Sequence, residues 1–372
     1  MKKLLYTLYF ILCAYSAHCA EYNAVLVADM NTGNVLYSEN ASAENYPASL
    51  TKIMTLYLTF DALEHERLHA DDLLIVSQSA ASASPVKLGL AAGSKISVED
   101  AIKAVAVYSA NDAARVLAEN LRGGREGTFA SLMTDVASQV GLQNTNFENS
   151  SGLPDDEHVS SARDIALLSL AVYKHFPGYW KYFSIRSFEY GGKTYNNGNR
   201  LLGAYPGADG MKTGFTNKSK YSLVATANRN GARVMAVVLG APNKDVRAMV
   251  ATRMLDRGFG ILGQGPSRDS RFEIGDSEKT DAVKNTNLQS PIPNHAVAAT
   301  GGNAGVQFGA FSTERAARTQ QKRVSSALNV STVVEQGPGG LWRVRATGLS
   351  DAAANKINAS CKSNGIDCYV FH

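Results

Sequence analysis

The chain has 372 residues, of which 45% are hydrophobic. This is enough material for about two domains with substantial cores, which excludes a disordered chain. The net charge of +4 is mild and no basic run is interleaved with aromatic residues, so a dedicated nucleic-acid-binding protein is not expected.

Residues 1–20 are predicted to be an export signal. Lys2 and Lys3 precede an apolar run from Leu4 to Ala14, and small residues follow near Ala17. The run is too short to span a bilayer comfortably, and no later segment is apolar enough, so no transmembrane segment is expected in the mature chain. An uncleaved N-terminal anchor is the alternative.

The next segments predict a domain over residues 21–264, with strands at both ends and helices in the middle. Two short strands follow Asn23 around a turn at residues 31–33, and helical spacing of apolar residues covers Ser49 to Leu63, Val98 to Arg122 and Ser160 to Tyr173. Tyr221 to Ala241 predicts strand, turn and strand. The pattern indicates an α+β fold, in which a helical region packs against a sheet.

The periodicity ends near Gln264, and residues 265–303 are rich in Ser, Asn, Pro, Thr and Ala. Such a segment buries too little surface to offset its ordering entropy, so we predict a flexible linker. Residues 304–372 then alternate strand and helix patterns in the order βαββαβ, which predicts a small, separate second domain.

Two side-chain clusters have alternative interpretations. Removal of the signal would leave Cys361 and Cys368 as the remaining cysteines, and their proximity in an exported chain suggests a local disulfide; two buried thiols are the alternative. The segment "HERLH", residues 65–69, matches a zinc pattern. It lies at a polar helix end with no third ligand in the expected place, so neither a metal nor a cofactor is expected.

Three polar motifs occur in order within the first domain. "PASLTK" places Lys52 three residues after Ser49, "YSAND" contains Ser109 and Asn111, and "DGMKTGFT" contains the triplet at residues 212–214. A hydroxyl and an amine three residues apart on a helix can meet, which suits a nucleophile and its base. A second S-x-x-K at residues 84–87 shows that single matches arise by chance.

Together the three motifs resemble the set found in penicillin-binding proteins and serine β-lactamases. With "NSSGLP", residues 149–154, they are similar to low-molecular-mass penicillin-binding proteins of the D-alanyl-D-alanine carboxypeptidase family. The resemblance implies a periplasmic enzyme that removes the terminal D-alanine from peptidoglycan pentapeptides and is acylated by β-lactam antibiotics. A DD-endopeptidase that cleaves cross-links, and a catalytically inactive wall-binding scaffold, are the alternatives.

The same resemblance implies roles for individual residues. It gives Ser49 as the nucleophile, Lys52 as its base, and Ser109, Asn111 and Lys212 as further catalytic groups. It also implies substrate-binding residues, which are Lys212, Thr213, Gly214, Phe215 and Arg247. Many relatives carry histidine where this chain has Phe215, so we expect a change in rate or preference. For Arg247 the alternative is a solvated charge on a helix.

The chemistry requires Lys52 to be uncharged when it accepts the serine proton. An ordinary lysine amine, with a pKa of about 10.4, is protonated at neutral pH. Burial and a second cation such as Lys212 would lower it; a shift of about three units corresponds to about 4 kcal/mol. No E-x-x-L-N segment lies between Asn111 and Lys212 to supply a deacylating glutamate, so Lys52 is also expected to activate the water.

The second domain resembles a SPOR domain, a module that binds peptidoglycan glycan strands and commonly lies at division sites. "VQFGAFSTERAA" and "LWRVRATG" carry this resemblance over residues 304–372. Strand alternation places Val306 and Phe308 on one face and Gln307 on the other, so Gln307 and Arg343 are predicted to line a sugar-binding surface. A purely structural domain of the same fold is the alternative.

Overall fold

The computed structural model describes residues 21–121, 126–264, 288, 304–311, 314–328, 330–336, 342–363, 366 and 368–371. The predicted signal, residues 1–20, lies outside these residues, as does the predicted linker apart from Leu288. Among the described residues no helix has the length and hydropathy needed to cross a bilayer.

The first domain contains nine described strands and seven described α-helices. The strands are β1 Ala24–Asp29, β2 Val35–Glu39, β3 Leu73–Ile75, β4 Lys95–Ser97, β5 Ser187–Tyr190, β6 Lys193–Asn196, β7 Ala208–Thr216, β8 Lys220–Arg229 and β9 Ala232–Ala241. The helices are α1 Lys52–Glu64, α2 Gln78–Ser82, α3 Val98–Lys103, α4 Asn111–Leu121, α5 Glu126–Val140, α6 Ala162–His175 and α7 Lys244–Ile261. Ala48–Thr51 and Pro177–Ser184 are 3-10 helices, and Ala104–Tyr108 is a π-helix.

A five-stranded antiparallel sheet in the order β2-β1-β9-β8-β7 forms the centre of this domain. Its central strands β1 and β9 are buried almost throughout, because helices cover both faces of the sheet. Leu26 and Val237 point into the core shared with the helical region, whereas Val25 and Val238 pack against α7. The predicted α+β class is therefore confirmed, and β7 lies at the sheet edge that faces the helical region.

Helix α1 runs through the middle of the helical region. Every residue from Lys52 to Phe60 is buried, including the polar Lys52, Thr55 and Thr59. A helix that is apolar on nearly all sides is expected to be surrounded by other elements. The single helix predicted over 98–122 is wrong, because α3 and α4 are separated by the π-helix and by Ser109, whose φ is +69°.

The second domain has the predicted βαββαβ order. Its elements are β10 Ala304–Phe311, α8 Glu314–Leu328, β11 Val333–Gln336, β12 Trp342–Leu349, α9 Asp351–Ser363 and β13 Tyr369–Phe371. The sheet order is β11-β12-β10-β13, and both helices pack on the face that presents Val306, Phe308 and Val344. Trp342 is partly buried against this core.

The register of this sheet shows which residues stand beside Gln307 and Arg343, the two predicted sugar-binding residues. Arg345, rather than Arg343, stands opposite Gln307 and donates from Nε to Gln307 Oε1 over 2.8 Å. An irregularity between Gln307 and Ala310 shifts the pairing, so Arg343 stands opposite Ala310 on one side and Glu335 on the other. Sequence alternation alone does not reveal such a shift.

Cys361 and Cys368, which are predicted to form a disulfide or to remain buried thiols, are both free thiols in the structure. Cys361 is buried in the core of the second domain, and burial followed by the neighbouring Cys368 raises the pKa of its thiol to about 12. The Cys368 thiol donates to Asn358 Oδ1 over 3.3 Å. Each thiol is thus accommodated in its reduced form, and pairing in an oxidising compartment stays a prediction.

Two glycines in α7, Gly258 and Gly260, differ in how closely they approach the sheet. A Cβ added at Gly258 would lie 2.5 Å from Val234 Cγ1 and 2.9 Å from Val27 Cγ1, whereas one at Gly260 meets nothing within 4 Å. We expect Gly258→Ala to lower the free energy of unfolding by about 1–3 kcal/mol through overpacking. Gly260→Ala should leave it unchanged or raise it by up to about 1 kcal/mol. Urea unfolding of both variants distinguishes these outcomes, and equal effects would contradict the close approach.

Candidate active site

Ser49 lies in the 3-10 turn Ala48–Thr51 that leads directly into α1. The turn starts under strain, because Ala48 has a φ of +48°, a region that residues with a Cβ seldom occupy. Ser49 is partly exposed, while Lys52, at the start of α1, is fully buried. The hydroxyl can therefore be reached from outside and the amine cannot.

The Lys52 amine contacts three oxygen atoms. Its Nζ lies 3.0 Å from Ser49 Oγ, 2.7 Å from Asn111 Oδ1 and 2.6 Å from the carbonyl oxygen of Ser151. The latter two oxygens can only accept hydrogen bonds, whereas the hydroxyl can also donate. An uncharged amine has two N–H groups and one lone pair. If the two carbonyl oxygens take the N–H groups, the lone pair points at Ser49.

The surroundings favour that uncharged form. Burial holds the pKa of Lys52 well below its ordinary value, and the charge of Lys212 lowers it further. Glu126 and Asp112 act in the opposite direction but do not outweigh burial. Glu126 is already engaged, since one oxygen accepts from the backbone N–H and hydroxyl of Ser150 and the other pairs with Arg115 over 2.6 Å.

The second motif, with Ser109 and Asn111, follows directly after the π-helix. The π-helix ends at Ser109, which adopts a left-handed conformation, and α4 then begins at Asn111. The hydroxyl of Ser109 is buried and has no hydrogen-bond partner among the residues that the structure describes. A buried hydroxyl without a partner costs free energy, which is typical of a site that is completed by a ligand.

The second S-x-x-K has a different role. Ser84 is exposed, and Lys87 Nζ donates to the Ala81 carbonyl, so these two do not form a nucleophile and base. Instead the Ser84 carbonyl accepts from Asn111 Nδ2 over 3.1 Å, which fixes the amide so that its oxygen faces Lys52. Asp112 holds the same loop by accepting from the N–H groups of residues 88–90, a role that sequence reasoning missed.

The third motif lies on β7, next to the serine turn. A Cβ at Gly214 would lie 3.0 Å from the Pro47 carbonyl and 3.4 Å from Ala48 Cβ, so glycine permits the strand to pass close to Ser49. Lys212 is almost completely buried; burial first, then the charge of Arg247, lowers its pKa to about 7. Phe215 is 47% exposed, and its ring centroid lies 4.3 Å from that of Tyr221 on β8.

Arg247 is buried, with 4% of its surface exposed, so the alternative of a solvated charge is excluded. Asn243 caps α7 by accepting from the N–H groups of Asp245 and Val246, which sets the first turn that carries Arg247. Arg247 Nη2 donates to the Gly198 carbonyl over 3.2 Å, and its Nε has no partner among the described residues. A buried guanidinium with an unused donor is suited to an anion.

Comparison with known proteins identifies the family of each domain. The family model "D-alanyl-D-alanine carboxypeptidase" matches residues 14–243, and the "SPOR domain" model matches residues 300–371. The chain belongs to the D-alanyl-D-alanine carboxypeptidase family. Its fold is that of the penicillin-binding proteins in this family.

Named relatives agree with this membership. D-alanyl-D-alanine carboxypeptidase DacF of Bacillus subtilis is 37% identical over 250 residues, a match that covers 65% of this chain and 63% of that one. Penicillin binding protein 5 of Haemophilus influenzae has a TM-score of 0.63 at 34% identity, covering 64% and 71% of the two chains. Penicillin-Binding Protein D2 of Listeria monocytogenes, solved in an ampicillin-bound form, has a TM-score of 0.60 at 32% identity, covering 65% and 99%.

Some of the predicted catalytic residues contact one another directly, and others act on them only through their charge. Ser49, Lys52 and Asn111 are joined by hydrogen bonds, and Lys212 is close enough for its charge to act on Lys52. The "HERLH" histidines are exposed and lie beside their own carboxylates, with His65 3.3 Å from Asp61 and His69 3.5 Å from Asp72. The described residues contain no metal-binding cluster.

The depressed pKa of Lys212 predicts a pH-dependent stability. Between about pH 7 and the ordinary lysine value of 10.5, the unfolded chain binds this proton more than the native protein does. The free energy of unfolding therefore rises with pH through this window, by at most about 1.4 kcal/mol per pH unit. Lys212→Met removes this contribution, so its stability relative to the wild type should be greatest near pH 7 and decline towards pH 9.

Urea unfolding at pH 7, 8 and 9 measures this difference. Lys193→Met is the matched control, because Lys193 is exposed on β6 and its variant should follow the wild type at each pH. A stability difference for Lys212→Met that is the same at all three pH values would contradict the depressed pKa.

Proposed function

We propose that the protein is a serine-type DD-carboxypeptidase that removes the terminal D-alanine from peptidoglycan pentapeptides through an acyl-enzyme on Ser49. The observation that supports this most directly is the hydrogen bond of 3.0 Å between the partly exposed Ser49 hydroxyl and the buried, weakly basic Lys52 amine. Such an amine can take the hydroxyl proton at neutral pH, which an ordinary lysine cannot.

In the acylation step, Ser49 Oγ attacks the carbonyl carbon of the penultimate D-alanine while its proton passes to Lys52 Nζ. The backbone N–H groups of Ser49 and Phe215 stabilise the negative oxygen of the tetrahedral intermediate. A proton then reaches the leaving nitrogen through Ser109, whose hydroxyl is buried and unpartnered in the free protein. The C–N bond breaks, free D-alanine leaves, and the acyl group stays on Ser49.

The terminal carboxylate of the substrate is assigned to the cationic end of the site. Arg247 is buried with an unused donor, and the Thr213 hydroxyl stands near Gly198, where an added Cβ would lie 2.9 Å from it. Arg247 also lies close enough to Lys212 for its charge to lower the pKa of that amine. A bound carboxylate would relieve this concentration of positive charge.

Deacylation uses a water activated by the same lysine. Glu126, a carboxylate whose charge acts on Lys52, has its oxygens occupied by Ser150 and Arg115. Without a glutamate free to act as base, hydrolysis depends on Lys52, which must again be uncharged. Because no dedicated deacylating glutamate is identified, we expect penicillins to acylate Ser49 and to leave slowly by hydrolysis.

Mass spectrometry of the protein after incubation with penicillin tests this function. We expect a covalent adduct on the wild type and none on Ser49→Ala, together with release of D-alanine from a peptide ending in D-Ala-D-Ala. Ser84→Ala is the matched control, because it removes the serine of the other S-x-x-K and should still form the adduct. Failure of the folded wild type to form an adduct would favour the inactive scaffold. Release from a cross-linked dimer rather than a pentapeptide would favour the endopeptidase.

The second domain is proposed to hold the enzyme on glycan strands, in the periplasm and at the division septum. The face of its sheet opposite the helices carries Gln307, Arg343 and Arg345. Gln307 is only 5% exposed and its Oε1 accepts from Arg345, so the accessible part of this face consists of the partly exposed arginines and the exposed Thr347. Charged and amide side chains in a row can donate to sugar hydroxyls. This location rests on the resemblance and on the polarity of the surface.

Binding of the full-length protein to cell-wall sacculi stripped of stem peptides tests the surface. Arg343→Ala should weaken binding by about tenfold, the loss of one charge-assisted hydrogen bond. Lys356→Ala, which removes the same charge from an exposed position on α9, should not weaken binding.

In cells, a fluorescent fusion lacking residues 304–372 should no longer localise to the division septum. Equal localisation of truncated and full-length fusions would contradict the proposal.

A further inference from the structure

His158 is a buried histidine that the mechanism above does not use. It is 3% exposed and lies between the turn at residues 149–154 and the start of α1. Its Nδ1 accepts from the backbone N–H of Glu148 over 3.2 Å, and its Nε2 lies 2.7 Å from Thr51 Oγ1. The imidazole therefore connects Glu148, just before the 149–154 turn, to Thr51, just before Lys52.

The hydrogen bonds fix the tautomer of this histidine. A ring nitrogen that accepts from a backbone N–H carries no proton, so the proton of the neutral ring is on Nε2 and is donated to Thr51 Oγ1. Burial, followed by the charge of Lys52, lowers the pKa of His158 to about 4, although Asp155 acts in the opposite direction. The ring is therefore neutral at the pH at which Lys52 works.

The turn at residues 149–154 is attached to α1 at two further points. Thr55 Oγ1 donates to the Ser150 carbonyl over 2.6 Å, and Lys52 Nζ donates to the Ser151 carbonyl over 2.6 Å. A Cβ at Gly152 would lie 1.8 Å from the Ala48 carbonyl oxygen, so the turn approaches the serine turn as closely as glycine permits. Asn149 Oδ1 accepts from the N–H groups of residues 151–153 and keeps the turn closed.

We propose that His158 is a positioning residue for Lys52: by tying Thr51 to the backbone of Glu148, it holds the Ser151 carbonyl against the amine and directs the lone pair of Lys52 at Ser49. The proposal rests on the proposed function, in which Lys52 is the base. Loss of the connection lets the turn move away from α1, admits water to Lys52 and removes one of its two acceptors. The amine is then less desolvated, its pKa rises, and its lone pair is no longer directed at the hydroxyl.

The test measures the rate of acylation by a fluorescent penicillin as a function of pH, in full-length variants whose folding is checked by thermal unfolding. His158→Leu should slow acylation by about 10- to 100-fold and move the acid limb of the pH profile to higher pH. His158→Gln can still donate to Thr51 and should stay near the wild type in both respects. Thr51→Val, nearly the same shape but without the hydroxyl, should reproduce the effect of His158→Leu.

A matched control separates this role from the loss of a buried histidine in general. His175→Leu removes a half-buried histidine that bonds Tyr57 rather than the 149–154 turn, so its acid limb should not move. Folded His158→Leu with the rate and pH profile of the wild type would overturn the inference. If that variant does not fold, Thr51→Val decides in the same way. A wild type that is not acylated at all would instead overturn the proposed function.

Discussion

The site depends on one physical constraint, which is that the Lys52 amine is buried among acceptors and makes no contact with a carboxylate of the described residues. A charged ammonium placed there would lose its hydration and gain only neutral oxygens in return, so burial favours the uncharged amine. The acceptors then decide the direction of its lone pair. Asn111 Oδ1 and the Ser151 carbonyl oxygen can only accept, while the Ser49 hydroxyl can donate, and this asymmetry makes the serine the proton source.

The fold produces this arrangement by bringing the backbone of Gly152 and of Gly214 close to the backbone of the serine turn. Gly152 and Gly214 both lie against the turn that contains Ser49, where any side chain would meet main-chain atoms. Ala48 and Ser109, which lie beside Ser49 and two residues before Asn111 respectively, are both in left-handed conformations. Strained residues of this kind persist only where the surroundings hold them, and here the buried α1 and the sheet edge β7 do so. The close approach excludes water from the amine, which is the condition for its low pKa.

The sequence predicted the groups whose chemistry depends on side-chain type and short spacing. Ser49 and Lys52 are three residues apart on one turn, and Asn111 is recognisable from its motif, so their contacts could be anticipated. The Ser151 carbonyl could not, because a backbone oxygen has no signature in sequence. Nor could the burial of Arg247, since α7 was not predicted and its "NKDVRAM" segment resembles an exposed helix start. The pairing of Gln307 with Arg345 could not be anticipated for a similar reason, because an irregular register depends on the partner strand.

Three buried basic side chains, Lys52, Lys212 and Arg247, extend from the base to the proposed carboxylate site, and their pKa values differ. Burial holds the pKa of Lys52 well below its ordinary value, Lys212 has a pKa of about 7, and Arg247, although burial lowers its pKa to about 10, stays charged at neutral pH. A carboxylate bound beside Arg247 would favour the charged form of Lys212, because opposite charges attract. A charged Lys212 in turn disfavours a proton on Lys52. Substrate binding beside Arg247 would therefore hold Lys52 ready as the base, so a peptide without a free carboxylate would lose both its anchor and part of the activation of Ser49.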